Sequence, residues 1–454
     1  MRLFVLLAAP ILAFLLGLLL SINGYSSEIC WTAGVTFLCA IWWVTEPIPM
    51  PVTSILPMAI FPLVGVLSSK EVGEAYGSPL ILLYLGGFML SMAMEKSGAH
   101  RRIALGMINI FGGGGKGIVY GFMAAAAFLS MWISNTATSL MLLPIALAVL
   151  ESSKDTKLSI ALLLGIAYAC NVGGLGTPIG TPPNLIFMQV YQETTGIQLS
   201  FISWMKWGIP VVVIFIPIIG IWLTRNLSIS EKLVIPSVGS WRDEEKRTLA
   251  VFFLTALAWM TRVDPFGGWS EWFNLPHAND ASVALLAAAF MFMIPNGNGD
   301  FLLNWKSAVK IPWGILLLFS GGICIASAFV SSGISQLIGE FLAQLSGINI
   351  VILIALICLS VTFLTEITSN TATTALLMPV LAAAGVGAGI DPSFMMVPAA
   401  LSASCAFMLP VATGPNAVIF SSGRIPIKTM TYEGAILNFI GAIVITVVCF
   451  LVLV

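Results

Sequence analysis

The fold class predicted for this chain is an all-α polytopic membrane protein, on the evidence of composition, the length of the apolar segments and an internal duplication. Hydrophobic residues make up 58% of the sequence and charged residues 9%, against roughly 25% charge in a soluble globular domain. Apolar stretches of the ~20-residue length needed to cross a bilayer recur from Leu3 to Val454. Against that background Ser134-Asn135-Thr136-Ala137-Thr138 returns as Ser369-Asn370-Thr371-Ala372-Thr373, 235 residues further on. Two uncharged polar motifs in so apolar a chain suggest one ligand site built from two halves.

The flanks of the motif keep the same register. Gly86-Gly87 maps to Gly321-Gly322, Ser97-Gly98 to Ser332-Gly333 and Pro144 to Pro379, while Gly180-Thr181-Pro182-Pro183-Asn184 answers Ala412-Thr413-Gly414-Pro415-Asn416 at a spacing of 232. This is an internal repeat of more than a hundred residues. Other signals are weak. Seven cysteines show no ligand spacing, so neither disulfides nor zinc are expected. His100 and His277 sit near segment ends and read as interfacial residues. Gly112-Gly113-Gly114-Gly115-Lys116-Gly117 fits a dinucleotide fingerprint only by accident, with no strand before it. No nucleic-acid partner and no organic cofactor are expected.

Taken in order, and with the N-terminus placed in the cytoplasm, residues 1–28 hold a first transmembrane helix. No small-x-small cleavage site precedes Glu28, so this segment is expected to be retained rather than removed as a signal peptide. Residues 29–224 form the first repeat, with spans at 29–44, 49–66 and 79–97 and a basic connection carrying Arg101, Arg102 and Lys116. The next apolar stretch, 118–150, is 33 residues long, short for two spans, and is centred on Ser134 with Lys116 before it and Lys154 and Lys157 after it. Basic residues on both flanks put its ends on one face, so it is expected to be a re-entrant hairpin. Spans at 158–190 and 206–224 follow.

Residues 225–247, with Arg225, Lys232, Arg242, Lys246 and Arg247, are the expected cytoplasmic linker; the sequon Asn226-Leu227-Ser228 would lie on that side and stay unused. Residues 248–454 form the second repeat, with spans at 248–262, 281–295 and 311–331, a hairpin at 350–384, and spans at 394–421 and 433–454. Glu340 and Asp391 flank this hairpin without any Lys or Arg, so it is expected to enter from outside. The arrangement puts 16 of the 19 basic residues inside, leaving out Lys70, Lys206 and Arg262. Five spans separate the hairpins, and an odd number forces an inverted repeat, the arrangement of many secondary transporters.

Polar backbone at membrane depth is tolerated only when buried in protein or lining a cavity. The Gly- and Pro-rich stretches from Asn171 to Asn184 and from Pro410 to Asn416 are expected to be unwound mid-span, each facing the hairpin tip of its own repeat. Freed carbonyls with Ser or Thr hydroxyls suit a dehydrated sodium ion, while Asn amides, Thr hydroxyls and helix N-termini suit carboxylates. The competing structural reading is that these small polar residues only bond helix to helix; duplication together with the duplicated breaks speaks against it. Glu366 is a carboxylate at membrane depth. Two readings stand for it, a direct ion or proton role and a hydrogen-bonding role inside the hairpin, and the uncharged Met131 at its repeat position argues against a symmetric one.

The paired Ser-Asn-Thr motifs, Trp42-Trp43-Val44-Thr45-Glu46-Pro47-Ile48-Pro49, and Met408-Leu409-Pro410-Val411-Ala412-Thr413-Gly414-Pro415-Asn416-Ala417 resemble the divalent anion sodium symporter family from about Trp31 to the C-terminus. The resemblance implies eleven transmembrane helices plus two re-entrant hairpins, a homodimer, and elevator-type alternating access of a transport domain against a scaffold. It implies substrates such as succinate, malate, fumarate or citrate, co-transported with Na+. By motif, one sodium site would use Ser130, Ser134, Asn135 and Gly180, and the other Thr365, Ser369, Asn370 and Ala412. Substrate carboxylates would meet Asn135, Thr136, Thr181, Asn370, Thr371 and Thr413. One departure stands out: Thr413-Gly414-Pro415 occupies a place where the family commonly has Thr-Pro-Pro.

The expected function is therefore sodium-coupled symport of di- or tricarboxylates by a protein of the bacterial inner membrane, in contact with lipid. A sodium-independent carboxylate exchanger is the alternative. An enzyme would need a nucleophile, metal pair or acid/base pair, and the motifs contain none. A channel would not need two opposed hairpins.

Overall fold

The computed structural model describes residues 2–453 apart from 113, 152, 154, 228–234, 236–238, 264–265 and 343–348. Gly113, Lys154, Ser228 and Lys232 of the foregoing reading lie outside the described residues, as does much of the expected linker. The chain is all-helical: the described residues contain no strand, only an isolated bridge between Pro295 and Phe301. Eight helical stretches among them are long and apolar enough to cross a membrane, and six shorter apolar helices lie between them.

The apolar hairpin stretches each form two helices, three of the four shorter than a span and the fourth, Asn370–Gly387, just reaching that length. Gly115–Ser130 is followed by Asn135–Leu150, and Ile350–Thr365 by Asn370–Gly387. Two other spans are interrupted: Thr156–Gly173 resumes as Pro182–Thr195, and Ser393–Ala403 as Gly414–Phe420. The second break begins at Ser404, six residues before Pro410. Sequence alone missed that start because Cys405 to Leu409 is a continuous apolar run.

Two further differences have local causes. The expected span 49–66 is divided into Met50–Thr53 and Ile55–Leu63, because the ring of Pro57 excludes a helical carbonyl at Thr53. The indole of Trp43 donates to Ser54 Oγ at 3.0 Å, and that hydroxyl donates to the Met50 carbonyl at 2.9 Å, holding the division. The expected basic connection after residue 97 contains an amphipathic helix, Ala99–Phe111, entered through Gly98 at φ 75°. Its repeat counterpart, Ile334–Leu342, is entered through Gly333 at φ 83°. Arg102 on the first of these is nearly buried, pairing with Glu245 Oε2 at 2.8 Å and donating to the carbonyls of Gly239 and Ser240.

The interior is organised around the breaks. Buried aromatics direct their polar atoms to backbone carbonyls there: Trp204 Nε1 donates to Leu175 O at 2.8 Å and Tyr168 Oη to Phe407 O at 2.9 Å. Leu175 and Phe407 are repeat equivalents at the spacing of 232. The helices that follow, Phe201–Thr224 and Ile427–Leu453, each meet that carbonyl with a glycine. A Cβ on Gly208 would fall 2.1 Å from Leu175 O, and one on Gly434 2.2 Å from Phe407 O, so any side chain at either place would displace the helix.

Candidate functional site

Each helix pair turns at its polar motif. The first helix ends at Ser130 or Thr365, four residues form the turn, and the second helix starts at Asn135 or Asn370 with Ser134 or Ser369 as its N-cap. The motif residues therefore occupy helix N-termini, where unpaired amides and the helix dipole favour anions. Both tips open on one cleft of about 400 Å³, whose walls also include Gly180 and Thr181 from the first break and Ala412 and Thr413 from the second.

All the expected site residues line this cleft except Ser130 and Thr365, which are fully buried behind the tips. Asn171, Tyr84, Phe88, Pro312 and Ile315 line it as well. Asn171 was visible as a lone polar residue at the edge of the first break. The other four come from helices outside the duplicated motifs, and nothing in the sequence singles them out. No Asp, Glu, Lys, Arg or His is among the described residues lining the cleft.

Ser130 and Thr365 hold equivalent positions. Ser130 Oγ lies 2.5 Å from Asn135 Oδ1 and 2.8 Å from Cys170 O; Thr365 Oγ1 lies 2.6 Å from Asn370 Oδ1 and 2.9 Å from Ala403 O. A hydroxyl has one proton to give. Each trio thus holds more oxygen lone pairs than protons at close range, an electron-rich arrangement that suits a small hard cation.

The breaks are held open by asparagines. Asn184 Nδ2 donates to the carbonyls of Gly174 and Thr177 at 2.9 and 2.7 Å, and Asn416 Nδ2 does the same for Ala406 and Leu409, both at 3.0 Å. Asn171 Nδ2 crosses between repeats to Thr413 Oγ1 at 3.1 Å and Asn416 Oδ1 at 3.2 Å. Each break lies beside the tip of its own repeat, as expected, and also reaches the tip helix of the other. The chain before each break touches its own tip, through Cys170 and Ala403. The short helix after it packs on the other repeat's tip helix: Gly414–Phe420 on Asn135–Leu150, and Pro182–Thr195 on Asn370–Gly387. Gly414 is part of that crossing, since a Cβ there would sit 2.0 Å from Thr136 Oγ1.

Glu366 is 3% exposed and does not line the cleft. Its Oε1 accepts from the amides of Phe407 and Met408 at 2.7 and 2.9 Å and from Asn438 Nδ2 at 2.8 Å, and its Oε2 accepts from the amide of Leu409 at 3.0 Å. Of its two readings the geometry carries the hydrogen-bonding one: the carboxylate satisfies three successive amides that the second break leaves without helical partners. At the equivalent turn in the first repeat, the Met131 carbonyl accepts from Thr177 Oγ1.

Residues 40–396 match the family model described as citrate transporter. The chain is 36% identical over 470 residues to the sodium-dependent dicarboxylate transporter SdcS of Staphylococcus saprophyticus, covering 98% of this chain and 90% of that protein. It is 37% identical over 444 residues to the SdcS of Staphylococcus aureus strain USA300, covering 92% and 85%. Among solved structures, the YdaH transporter of Alcanivorax borkumensis superposes with a TM-score of 0.59 at 16% identity, over 87% of this chain and 88% of that one. MtrF of Neisseria gonorrhoeae superposes with a TM-score of 0.60 at 14% identity, over 86% and 83%. The last two establish a shared fold alone. A helical membrane protein whose duplicated polar tips meet in one uncharged cleft, and whose sequence aligns almost end to end with these relatives, is a transporter rather than an enzyme: the chain belongs to the citrate transporter family, among its divalent anion sodium symporters.

Proposed function

We propose that the protein is a sodium-coupled symporter of di- or tricarboxylates such as succinate, malate, fumarate or citrate. The observation that carries this reading is the cleft itself. A dianion entering a cleft with no Lys, Arg or His among its described lining residues needs its charge offset by dipoles and co-bound cations, and the oxygen clusters at Ser130 and Thr365 lie directly behind the tips that the anion would touch. The sodium dependence in the names of the two Staphylococcus relatives supports the same reading.

In this mechanism sodium binds first, one ion among Ser130, Ser134, Asn135 and Gly180 and another among Thr365, Ser369, Asn370 and Ala412. Each ion draws its tip asparagine and the adjacent break into one geometry. Asn135, Thr136 and Thr181, with Asn370, Thr371 and Thr413, then offer amide and hydroxyl donors to the substrate carboxylates, one pole of the anion to each repeat. Binding order follows from electrostatics, because the anion gains little from an uncharged cleft before the cations are in place. Alternating access would come from an inverted repeat moving as an elevator within a homodimer, with the N-terminus in the cytoplasm of a bacterial cell.

The test is uptake of labelled succinate into proteoliposomes under an inward sodium or potassium gradient, with and without succinate inside. Uptake that requires external sodium and no internal carboxylate is expected. Uptake that requires internal carboxylate and ignores sodium would make the protein an exchanger and overturn the coupling.

A further inference from the structure

Behind the second tip lies another cavity, of about 390 Å³, which shares Ser369, Ala412, Thr413 and Gly414 with the cleft. That strip of chain is the wall between the two spaces. Across from it stand Val44 and Glu46, from the Trp-Trp-Val-Thr-Glu-Pro segment whose role the proposed cycle leaves unused. Glu46 is the one acidic or basic residue among the described residues lining either cavity.

Glu46 is mounted in an unusual way. It closes the helix Ser27–Thr45 in the left-handed region, at φ 44° and ψ 50°, with its amide donating to Trp42 O. Gly or Asn adopt that conformation at lower cost, so the fold accepts strain to keep a carboxylate here. The segment cannot easily relax, because Trp42 and Trp43 are buried and the Trp43 indole is tied to Ser54. Among the described residues the exposed Glu46 carboxylate has no hydrogen bond or ion pair.

We propose that this second cavity is a cation vestibule, in which Glu46 concentrates sodium at the back of the wall formed by Ser369 and Ala412. An unpaired carboxylate in a half-open recess with polar walls raises the local concentration of small cations and lowers that of anions. Placed beyond the wall, it attracts the cation without putting a negative charge in the cleft that is to receive a dianion. The two ligands would then reach the site from separate spaces, the anion by the uncharged cleft and the cation by the acidic one. This inference rests on the sodium-coupled reading.

The test is thermal unfolding of the purified full-length protein against sodium chloride, with choline chloride holding ionic strength constant and no carboxylate present. Glu46→Asn and Glu46→Asp are the informative pair, since they share a shape and differ in charge, and Asn also tolerates the left-handed backbone. Glu46→Asn is expected to raise the half-saturating sodium concentration about three- to ten-fold while Glu46→Asp stays near the unaltered protein, and the gap should narrow as total ionic strength rises. Equal midpoints for the two variants, in a protein whose unaltered form responds to sodium, would overturn the vestibule and leave symport standing. No sodium response in the unaltered protein would overturn symport, and the vestibule with it.

Discussion

Ser130 and Thr365 lie outside the cleft, yet the proposed cation chemistry depends on them. Each sets one hydroxyl between an asparagine side chain and a carbonyl at the end of the helix before a break. Ser130→Ala and Thr365→Val should each raise the half-saturating sodium concentration for succinate uptake at least about ten-fold, the loss of one oxygen ligand, with little change in folding. A change in succinate affinity alone would give these hydroxyls to the substrate instead. Glu366 makes a different prediction. Glutamine there would set an NH2 group against a backbone amide among Phe407, Met408 and Leu409, and a buried donor left unsatisfied costs about 1–3 kcal/mol. Glu366→Gln should therefore lower the unfolding temperature in sodium and in choline alike; a fall seen only in sodium would make Glu366 part of a cation site.

At the level of elements, the amphipathic helix Ala99–Phe111 is fastened by Arg102 to Glu245 and to the Gly239 and Ser240 carbonyls. Burial pushes the Glu245 carboxyl up, but hydrogen bonds from the Arg242 amide and from the Arg102 and Arg242 side chains outweigh it, leaving the group below its ordinary value of 4.5. A depressed carboxyl contributes stability that is present above its unfolded value and is lost as pH falls through its folded one. Unfolding temperatures of the unaltered protein and of Glu245→Gln should thus differ at pH 7, and the gap should close only as pH falls below the ordinary value of 4.5 and through the lower folded one. Such fastening was not legible in sequence, because Arg102 and Glu245 are 143 residues apart. The helix itself was half legible: Ser97-Gly98 and Ser332-Gly333 stood in repeat register, but Arg101 and Arg102 read as a loop. The breaks were legible wherever Gly and Pro made them, at Gly174 to Pro183 and Pro410 to Pro415. Cys405 to Leu409 was not, since the amides of Phe407, Met408 and Leu409 are satisfied by a carboxylate about forty residues earlier, and apolar composition alone cannot register that contact.

Across the whole molecule, polar ties join the broken helices to the helices around them. Ser78 Oγ donates to Gln189 Oε1 at 2.6 Å, and Ser327 Oγ donates to Glu193 Oε2 at 3.5 Å. If the broken helices move as a body, the first tie parts in every cycle. A buried hydrogen bond of net worth about 1 kcal/mol corresponds to several-fold in rate. Ser78→Ala is expected to speed uptake at saturating sodium and succinate by a few-fold and leave both half-saturation constants in place; an unchanged or slower rate would mean that this tie does not hold the state described here.

That no Asp, Glu, Lys, Arg or His is among the described residues lining the cleft also bears on the membrane potential. In the proposed cycle, an empty carrier returning across the membrane takes no cleft side-chain charge with it, and the charge that travels with the second tip is the buried Glu366 carboxylate. Sodium in excess of the carboxylate charge would move net positive charge in the loaded step, where each elementary charge is worth about 2.3 kcal/mol per 100 mV. Transient currents on a solid-supported membrane should therefore appear when sodium and succinate are added together and nearly vanish with succinate alone, and a negative interior should quicken loading.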